Sequence, residues 1–277
     1  MEFIYDPEHL QALAAREAEN YGKAAPFPHV VIDDFLRADA AAALAAAIPD
    51  ADSGLPWDRY AAAGFEMKLA SSREDVLPET VCRALHELNA GQFIRFLETL
   101  TGIQHLLPDP HLLGGGVHLV GPGGHLGVHA DFNWHPGLQA HRRINLLLYF
   151  NDPWDPAWGG DLELWSTDAA HREKSIAPLF NRAVIFNTRS DTFHGHPDPL
   201  TCPEGDSRKS LALFYYTNGR PDEEKNGAHT TIFAERPNER IGGLRWRVSQ
   251  DYMPPVLFRA MRRFRERHLA GTIQKRG

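Results

Sequence analysis

Short apolar segments alternate with glycine, proline and asparagine from about Gly114 to Asn218, and this pattern constrains the fold more than any other feature of the chain. The clearest segments are RINLLLYFN, RAVIFNT and SLALFYYTN. They are short and rich in β-branched and aromatic residues, which is typical of strands. Five or more such segments at this spacing predict an antiparallel sandwich or barrel. The first segment is nearly all apolar, so we expect it in the middle of a sheet.

One segment of this region, GGDLELW, alternates in polarity. Leu162 and Leu164 are interleaved with Asp161, Glu163 and Trp165. Because successive side chains of a strand point to opposite faces, we expect this strand to be half-buried.

Residues 1–113 are expected to be mainly helical and to support the β core, with one strand, PHVVIDDFL, among the helices. The helical segments are PEHLQALAAREAENY, RADAAAALAAAIP, which Pro49 stops, and ETVCRALHELNAGQFIRFLETLTG, which gives one or two helices ending at Gly102. Residues 114–218 then form the β core and residues 219–277 a C-terminal extension. We expect all three parts to make a single catalytic domain.

The extension ends in a basic segment, FRAMRRFRERH at 258–268. Leu257, Met261 and Phe264 recur there at helical spacing, which predicts a docked amphipathic helix with a solvated arginine face. The alternative is a surface for nucleic acid or an acidic partner. The net charge of −7 argues against a general polyanion-binding protein, so no nucleic-acid partner is expected.

The composition also bears on the compartment. Two cysteines, Cys82 and Cys202, are too few for a disulfide framework. The N-terminus is acidic where a signal peptide would be basic, and no apolar run approaches the ~18 residues of a membrane span. We therefore expect a cytoplasmic protein without a membrane partner. The sequence leaves its oligomeric state open.

A His-x-Asp triplet, His129 to Asp131, is the first candidate for a functional site. The chain has 15 histidines, and the triplet His196-Pro197-Asp198 has the same spacing, so the spacing alone is weak. On a strand, residues i and i+2 share a face, so His129 and Asp131 would project together. Two histidines and one carboxylate form the metal site of non-haem Fe(II) oxygenases and leave three coordination positions open. Strand parity allows either His194 or His196 as the third ligand.

Arg208 opens the next strand, RKSLALFYY, and by alternation shares a face with Ser210, Ala212 and Phe214. If that face is the interior, Arg208 is a buried charge and needs an anion. A planar guanidinium suits a bidentate carboxylate. The alternative is a structural arginine at a strand end, paired with an acid of the protein.

These segments together resemble a known family. The series is HADF, RRINLLLYFN, WGGDLELW, FNRAVIFNT, HGHPDPL and RKSLALFYYT. It is similar to the 2-oxoglutarate- and Fe(II)-dependent dioxygenases, and among them to the prolyl 4-hydroxylase-like branch. The segment FPHVVIDDFL resembles the lead-in of bacterial members. The resemblance implies a double-stranded β-helix, or jelly roll, flanked by helices.

The resemblance also implies site residues. Fe(II) would be bound by His129, Asp131 and His194, with 2-oxoglutarate and O2 as co-substrates and ascorbate as a reductant. Arg208 would bind the distal carboxylate of 2-oxoglutarate. His194 is favoured because the family ligand commonly precedes a glycine. His196 precedes Pro197, where we expect the chain to leave the strand, so its side chain is expected at the rim of the pocket.

Three further residues are expected at the co-substrate. Tyr149 matches a family tyrosine that supports the distal carboxylate, although it can equally be a core aromatic residue. Ser210 matches the family's Arg-x-Ser pattern, and Asn145 is expected on the same face as Tyr149. The sequence departs from the animal prolyl hydroxylases at His118 and Leu119, near a position where those enzymes carry a tyrosine. This departure bears on the co-substrate contacts and on a protein-proline substrate.

The implied reaction is hydroxylation of an unactivated C–H bond, coupled to conversion of 2-oxoglutarate to succinate and CO2. Asp131 stands where some halogenating relatives carry a small residue, so no halide incorporation is expected. The alternatives are a cupin-type metal hydrolase or isomerase and a non-catalytic jelly-roll binding module; neither needs Arg208. The substrate can be a small molecule or a peptidyl residue. Four side chains are expected around the barrel mouth: Trp134, His135, Trp154 and Trp158.

Overall fold

The structure is a computed structural model, and it describes residues 2–62, 65–224 and 227–236. These residues lie within one compact unit, Met1–Glu239. The predicted basic helix at 258–268 lies outside the described residues. Within the part of the chain that is described, no helix is both long and apolar enough to cross a membrane.

The predicted helices are confirmed, and the long third segment forms two of them. They are α1 (Pro7–Lys23), α2 (Ala38–Ala47), α3 (Glu79–Leu88) and α4 (Gly91–Thr101). The start of α1 is fixed by Asp6, whose carboxylate accepts from the amides of Glu8 and His9. The end of α4 is fixed by Gly102, which adopts φ 71°, a left-handed conformation that favours glycine.

The strands are all paired in antiparallel fashion. In chain order they are β1 (His29–Ile32), β2 (Asp58–Ala62), β3 (Glu66–Ser71), β4 (Gly116–Val120), β5 (His125–Ala130), β6 (Trp134–His135), β7 (Ala140–Tyr149), β8 (Leu162–Trp165), β9 (Arg172–Ile176), β10 (Arg182–Asn187), β11 (His194–His196), β12 (Arg208–Thr217) and β13 (Ile232–Phe233).

Across the sheet, hydrogen-bonded neighbours come in the order β1-β10-β7-β12-β4-β3-β5-β11-β8-β9. Apart from the hairpin of β8 and β9, consecutive strands of the core therefore alternate between two halves, one built on β10, β7, β12 and β4 and the other on β5, β11, β8 and β9. This is the double-stranded β-helix that the sequence predicted. The apolar strand β7 lies between β10 and β12, in the middle of a sheet as expected.

The two faces of the first half have different roles. Leu146 and Leu148 of β7, with Leu211 and Leu213 of β12, pack in one core with the helices. The alternating residues face the other way, into the space between the two halves. The helices thus cover the outer face of this sheet, and the inner face carries both polar and apolar side chains.

Strands β2 and β3 were not predicted, since residues 1–113 were expected to contain a single strand. Their sequences, DRYAA and EMKLAS, contain alanine, glutamate, lysine and methionine, which favour helices. Tertiary pairing overrides that preference: β3 pairs with both β4 and β5 and so joins the two halves.

The expectation of a half-buried strand at GGDLELW is wrong. Every residue of β8 is buried, including Glu163 and Trp165. The alternation itself is present, because Leu162 and Leu164 pack in one apolar cluster and Trp165 in another. Glu163 is buried with partners: it accepts from the Trp165 indole at 2.9 Å and pairs with Arg172 at 2.8 Å.

Candidate metal and co-substrate site

Two neighbouring strands bring the predicted metal ligands together. His129 lies near the end of β5, and Asp131 follows that strand directly. His194 opens β11, which pairs with β5 so that His194 lies opposite His129. The three residues therefore meet because of strand register, although 63 positions separate Asp131 from His194.

The ligand atoms of His129, Asp131 and His194 all lie within 4.8 Å of one another. The Nε2 of His129 is 3.5 Å from Oδ1 of Asp131, and the Nε2 of His194 is 3.4 Å from Oδ2. Both imidazoles are buried. Within the described ranges this is the one group of three or more ligand-type residues spaced closely enough to hold a metal ion.

The orientation of both imidazoles suits metal binding through Nε2. The Nδ1 of His129 lies 2.8 Å from the Gly127 carbonyl, and the Nδ1 of His194 lies 3.1 Å from the Thr192 carbonyl. A carbonyl can only accept, so each Nδ1 carries the proton and each Nε2 keeps its lone pair. A hydrogen bond from the nitrogen that does not bind the metal to a backbone carbonyl is typical of ligating histidines.

The pKa of His194 is lowered to about 4, mainly by burial and in part by the neighbouring His129. The imidazole is thus neutral near pH 7 and can bind a cation without first losing a proton. Asp131 shows the opposite balance. Its burial disfavours the charged form, but Arg142 and the two histidines hold the pKa of its carboxyl well below the ordinary value. An ionised carboxylate and a neutral imidazole are therefore available beside His129, and one carboxylate with two imidazoles is a donor set that fits Fe(II).

Arg208 lies in the interior, as the alternation of β12 predicts. Its side chain is buried, its Nε donates to the Gly160 carbonyl at 2.7 Å, and its Nη2 donates to the Tyr149 hydroxyl at 3.0 Å. Among the described residues, no carboxylate lies within 4.0 Å of this guanidinium. The alternative of a structural arginine paired with a protein acid therefore finds no support here.

The other residues expected at the co-substrate lie on the same interior face. Tyr149 is buried, which raises the pKa of its hydroxyl, and it pairs in register with Ser210. Ser210 also pairs with His118 of β4. Asn145 lies further along β7, but its amide nitrogen donates to Asp131 at 2.7 Å. The structure thus joins Asn145 to the metal-ligand candidates and not to Arg208.

We expected the side chain of His196 at the rim of the pocket, and this expectation is wrong. His196 is the last residue of β11, and its side chain is buried. Burial, followed by the charge of Arg208, lowers its pKa well below the ordinary value. Pro197 does end the strand, but only after His196. This histidine therefore lines the interior on the side of Arg208.

His118 lines the same interior. Its pKa is lowered to about 3, mainly by burial and in part by the charge of Lys68 of β3. Among the described residues, neither its buried Nε2 nor the buried Nδ1 of His196 has a hydrogen-bond partner. Two cations and two neutral imidazoles therefore surround this part of the interior, which favours an anionic ligand.

The aromatic residues expected at the barrel mouth mainly pack against the protein. Trp154 is buried in a cluster with Leu200, and its ring is 5.2 Å from that of Trp158. His135 is buried beside Asp109. The ring of Trp134 lies 4.8 Å from that of His141.

Sequence reasoning missed Arg142, whose Nη2 lies 3.0 Å from Oδ2 of Asp131. Strand parity predicts that Arg143, and not Arg142, shares a face with Asn145. A bulge in β7 reverses this: Tyr216 pairs with Arg142 and Tyr215 with Ile144, so Arg143 is the extra residue. The arginine pair before an apolar strand was the available indication, but the bulge cannot be read from the sequence.

The interior of this double-stranded β-helix thus holds two histidines and one carboxylate. This ligand set is typical of non-haem Fe(II) oxygenases. Comparison with known families agrees. Residues 115–216 match the model of the 2OG-Fe(II) oxygenase superfamily, and this region contains each of the candidate ligands and Arg208. This part of the chain is therefore similar to the 2OG-Fe(II) oxygenases, as the sequence suggested.

Individual proteins resemble part of the chain or share its fold. The chain is 34% identical to the prolyl 3-hydroxylase OGFOD1 of Mus musculus over 79 residues, which are 27% of this chain and 14% of that protein. A prolyl-4-hydroxylase from Pseudomonas putida shares the fold with TM-score 0.53 and 19% identity, covering 74% of this chain and 99% of that one. A prolyl 4-hydroxylase structure from Phytophthora capsici gives TM-score 0.54 and 20% identity over 81% of this chain and 70% of that one.

Proposed function

We propose that the protein is an Fe(II)- and 2-oxoglutarate-dependent hydroxylase that acts on an unactivated C–H bond. The observation that carries the proposal is the meeting of His129, Asp131 and His194 in the same interior as Arg208, a buried cation for which the described residues supply no carboxylate. Iron bound there supplies the O2 chemistry that couples the decarboxylation of 2-oxoglutarate to hydroxylation of the substrate.

The chain's own residues prepare this site in three ways. The carbonyls of Gly127 and Thr192 orient the two imidazoles. The low pKa of Asp131 keeps its carboxylate ionised. Apolar rings exclude water, since Phe186 packs 4.7 Å from the His194 ring and Phe233 packs 5.6 Å from the His129 ring.

The distal carboxylate of 2-oxoglutarate is proposed to bind Arg208. Two Arg208 nitrogens already donate to the Gly160 carbonyl and the Tyr149 hydroxyl, which fixes the direction of the guanidinium. The Tyr149 hydroxyl stays protonated because burial raises its pKa, so it can donate to the carboxylate. Ser210 is the neighbouring hydroxyl on this face. Ascorbate is proposed as a reductant that keeps the iron in its ferrous state.

The substrate is proposed to be a small molecule or a peptidyl residue, with a prolyl residue as the first candidate. The support is the nature of the relatives: the mouse protein is named a prolyl 3-hydroxylase, and several solved structures of this fold are prolyl 4-hydroxylases. Asp131 fills the carboxylate position of the site, so the product is expected to carry hydroxyl and no halide.

A cupin-type metal hydrolase or isomerase would use the same three ligands, and a binding module would use none. The test is anaerobic loading of the protein with Fe(II), followed by addition of O2 and 2-oxoglutarate. We expect succinate to form, and a cell extract to yield a product heavier by one oxygen atom. Consumption of a substrate without 2-oxoglutarate or O2 would favour the hydrolase or isomerase, and the absence of any turnover would favour the binding module.

A further inference from the structure

Arg142 is a fully buried cation next to the metal-ligand candidates. Its side chain is 1% exposed. Its guanidinium carbon lies 3.4 Å from the centroid of the Phe214 ring and 4.5 Å from that of Phe132. The carbonyl of Arg142 accepts from Arg220 at 2.7 Å. The two rings and this backbone contact leave the side chain little freedom, so its direction is set by packing.

The guanidinium of Arg142, the carboxylate of Asp131 and the amide of Asn145 each contact the other two. Its Nη2 lies 3.0 Å from Oδ2 of Asp131, and its Nε donates to Oδ1 of Asn145 at 2.9 Å. The Nδ2 of Asn145 then donates to the same Oδ2 at 2.7 Å. Arg142 thereby fixes the amide of Asn145, because an amide whose oxygen accepts from Arg142 must turn its nitrogen toward Asp131.

The contacts are uneven across the Asp131 carboxylate. Oδ2 faces both Arg142 and Asn145 and lies 3.4 Å from the Nε2 of His194, whereas Oδ1 lies 3.5 Å from the Nε2 of His129. Because Oδ2 already accepts two hydrogen bonds, it is less able than Oδ1 to bind a cation. Burial prevents water from compensating for their loss.

We propose that Arg142 and Asn145 are a positioning pair that holds Asp131 as a one-oxygen metal ligand. The inference rests on the proposed function, since it assigns the metal to His129, Asp131 and His194. A carboxylate that binds through one oxygen keeps three coordination positions open for co-substrate and O2. A carboxylate free to bind through both oxygens would occupy one of them.

Cobalt(II) tests this without turnover, because its visible absorption reports both binding and coordination number. The variant is Arg142→Met, which removes the donors and keeps much of the length. The matched control is Arg143→Met, since Arg143 reaches Thr217 and Glu224 and has no contact with Asp131. We expect Arg142→Met to change the cobalt spectrum toward a higher coordination number, because the Asp131 carboxylate is then free to bind the ion through both oxygens, and to shift the affinity with it. Arg143→Met should change neither.

Two milder variants keep the test decisive if Arg142→Met does not fold. Arg142→Lys retains the charge and should give a spectrum closer to that of the wild type, and Asn145→Ala should shift the spectrum in the same direction as Arg142→Met. Unchanged affinity and spectrum in the folded variants would overturn the inference. A wild-type protein that binds cobalt but forms no succinate would overturn the proposed reaction alone.

Discussion

Arg208 is the residue on which assignment of the co-substrate depends. We expect Arg208→Ala to weaken 2-oxoglutarate binding about tenfold to a hundredfold, because a charged hydrogen bond contributes about 1.5–3 kcal/mol. Metal binding should be retained, since Arg208 is not a candidate ligand. Titration of the metal-loaded protein with 2-oxoglutarate, without O2, measures the effect.

The neighbouring residue supplies the control. Lys209 points the other way along β12 and pairs with Asp50 at 2.7 Å, so Lys209→Ala should leave 2-oxoglutarate affinity unchanged. Equal affinities of the Arg208→Ala variant and the wild type would remove Arg208 from the co-substrate site.

The two histidines of β11 can be separated in the same way. His194 lies opposite His129 and within 3.4 Å of Asp131, whereas His196 lies on the Arg208 side of the interior. We expect His194→Ala to lose most of its Fe(II) affinity and all turnover. His196→Ala should retain iron and lose activity to a smaller extent. Measured iron content decides, and the assignment is wrong if His196→Ala is the variant without iron.

These residues also show what the sequence could and could not predict about the site. Parity on one strand was enough to place His129 beside Asp131. It could not choose between His194 and His196, since both share a face, and only the register of β11 on β5 separates them. It also could not indicate Arg142, because a bulge at Arg143 shifts the alternation in β7. Local rules thus succeed within a regular strand and fail where irregular pairing sets the geometry.

At the scale of elements, the close approach of β5 and β11 requires glycine at position 195. A Cβ added there would lie 2.7 Å from the carbonyl oxygens of both Gly127 and Leu126. Backbone atoms cannot move aside easily, so Gly195→Ala should push the two strands apart and separate His129 from His194. We expect the free energy of unfolding to fall by about 1–3 kcal/mol, together with weaker metal binding. Thermal unfolding and a cobalt titration measure both effects.

A glycine in open space provides the comparison. Gly22 lies in α1, and a Cβ there would meet no heavy atom within 4 Å. Gly22→Ala should therefore preserve metal affinity and keep or raise the melting temperature, because alanine favours a helix. If Gly195→Ala behaves like Gly22→Ala, the strands tolerate a side chain and the packing argument fails.

The hairpin of β2 and β3 marks the limit of prediction at this scale. The helices of the first part could be predicted from caps and composition, such as Asp6 before α1 and Gly102 after α4. Nothing local in EMKLAS indicates a strand. It becomes one because the edges of β4 and β5 are both open to it, and this depends on the finished barrel. Lys68 reaches the interior for the same reason, so its nearness to His118 could not be expected from the sequence.

For the whole molecule, the buried histidines and Asp131 act on stability in the same direction. The pKa of His194 is lowered to about 4 and that of His118 to about 3, whereas both are near 6.5 when exposed. The pKa of His196 is lowered as well. Between pH 6.5 and about 4 the unfolded chain therefore binds more protons than the folded one. The free energy of unfolding is highest above pH 6.5 and decreases as the pH falls through this range. Asp131, whose pKa is also lowered, adds a further loss below its ordinary value of 3.8.

The metal-free protein should accordingly become less stable on acidification well before its carboxylates titrate. Each such histidine contributes up to about 1.4 kcal/mol per pH unit in this window. Urea unfolding at pH 7.5, 6.0 and 5.0 measures the slope. His118→Gln removes one of the titrating groups and should flatten it, whereas His171→Gln, at an exposed position, serves as the matched control. A free energy of unfolding that is the same at pH 7.5 and 5.0 would show that these imidazoles gain protons without opening the barrel, and the interior would then have to be more open to water than their burial implies.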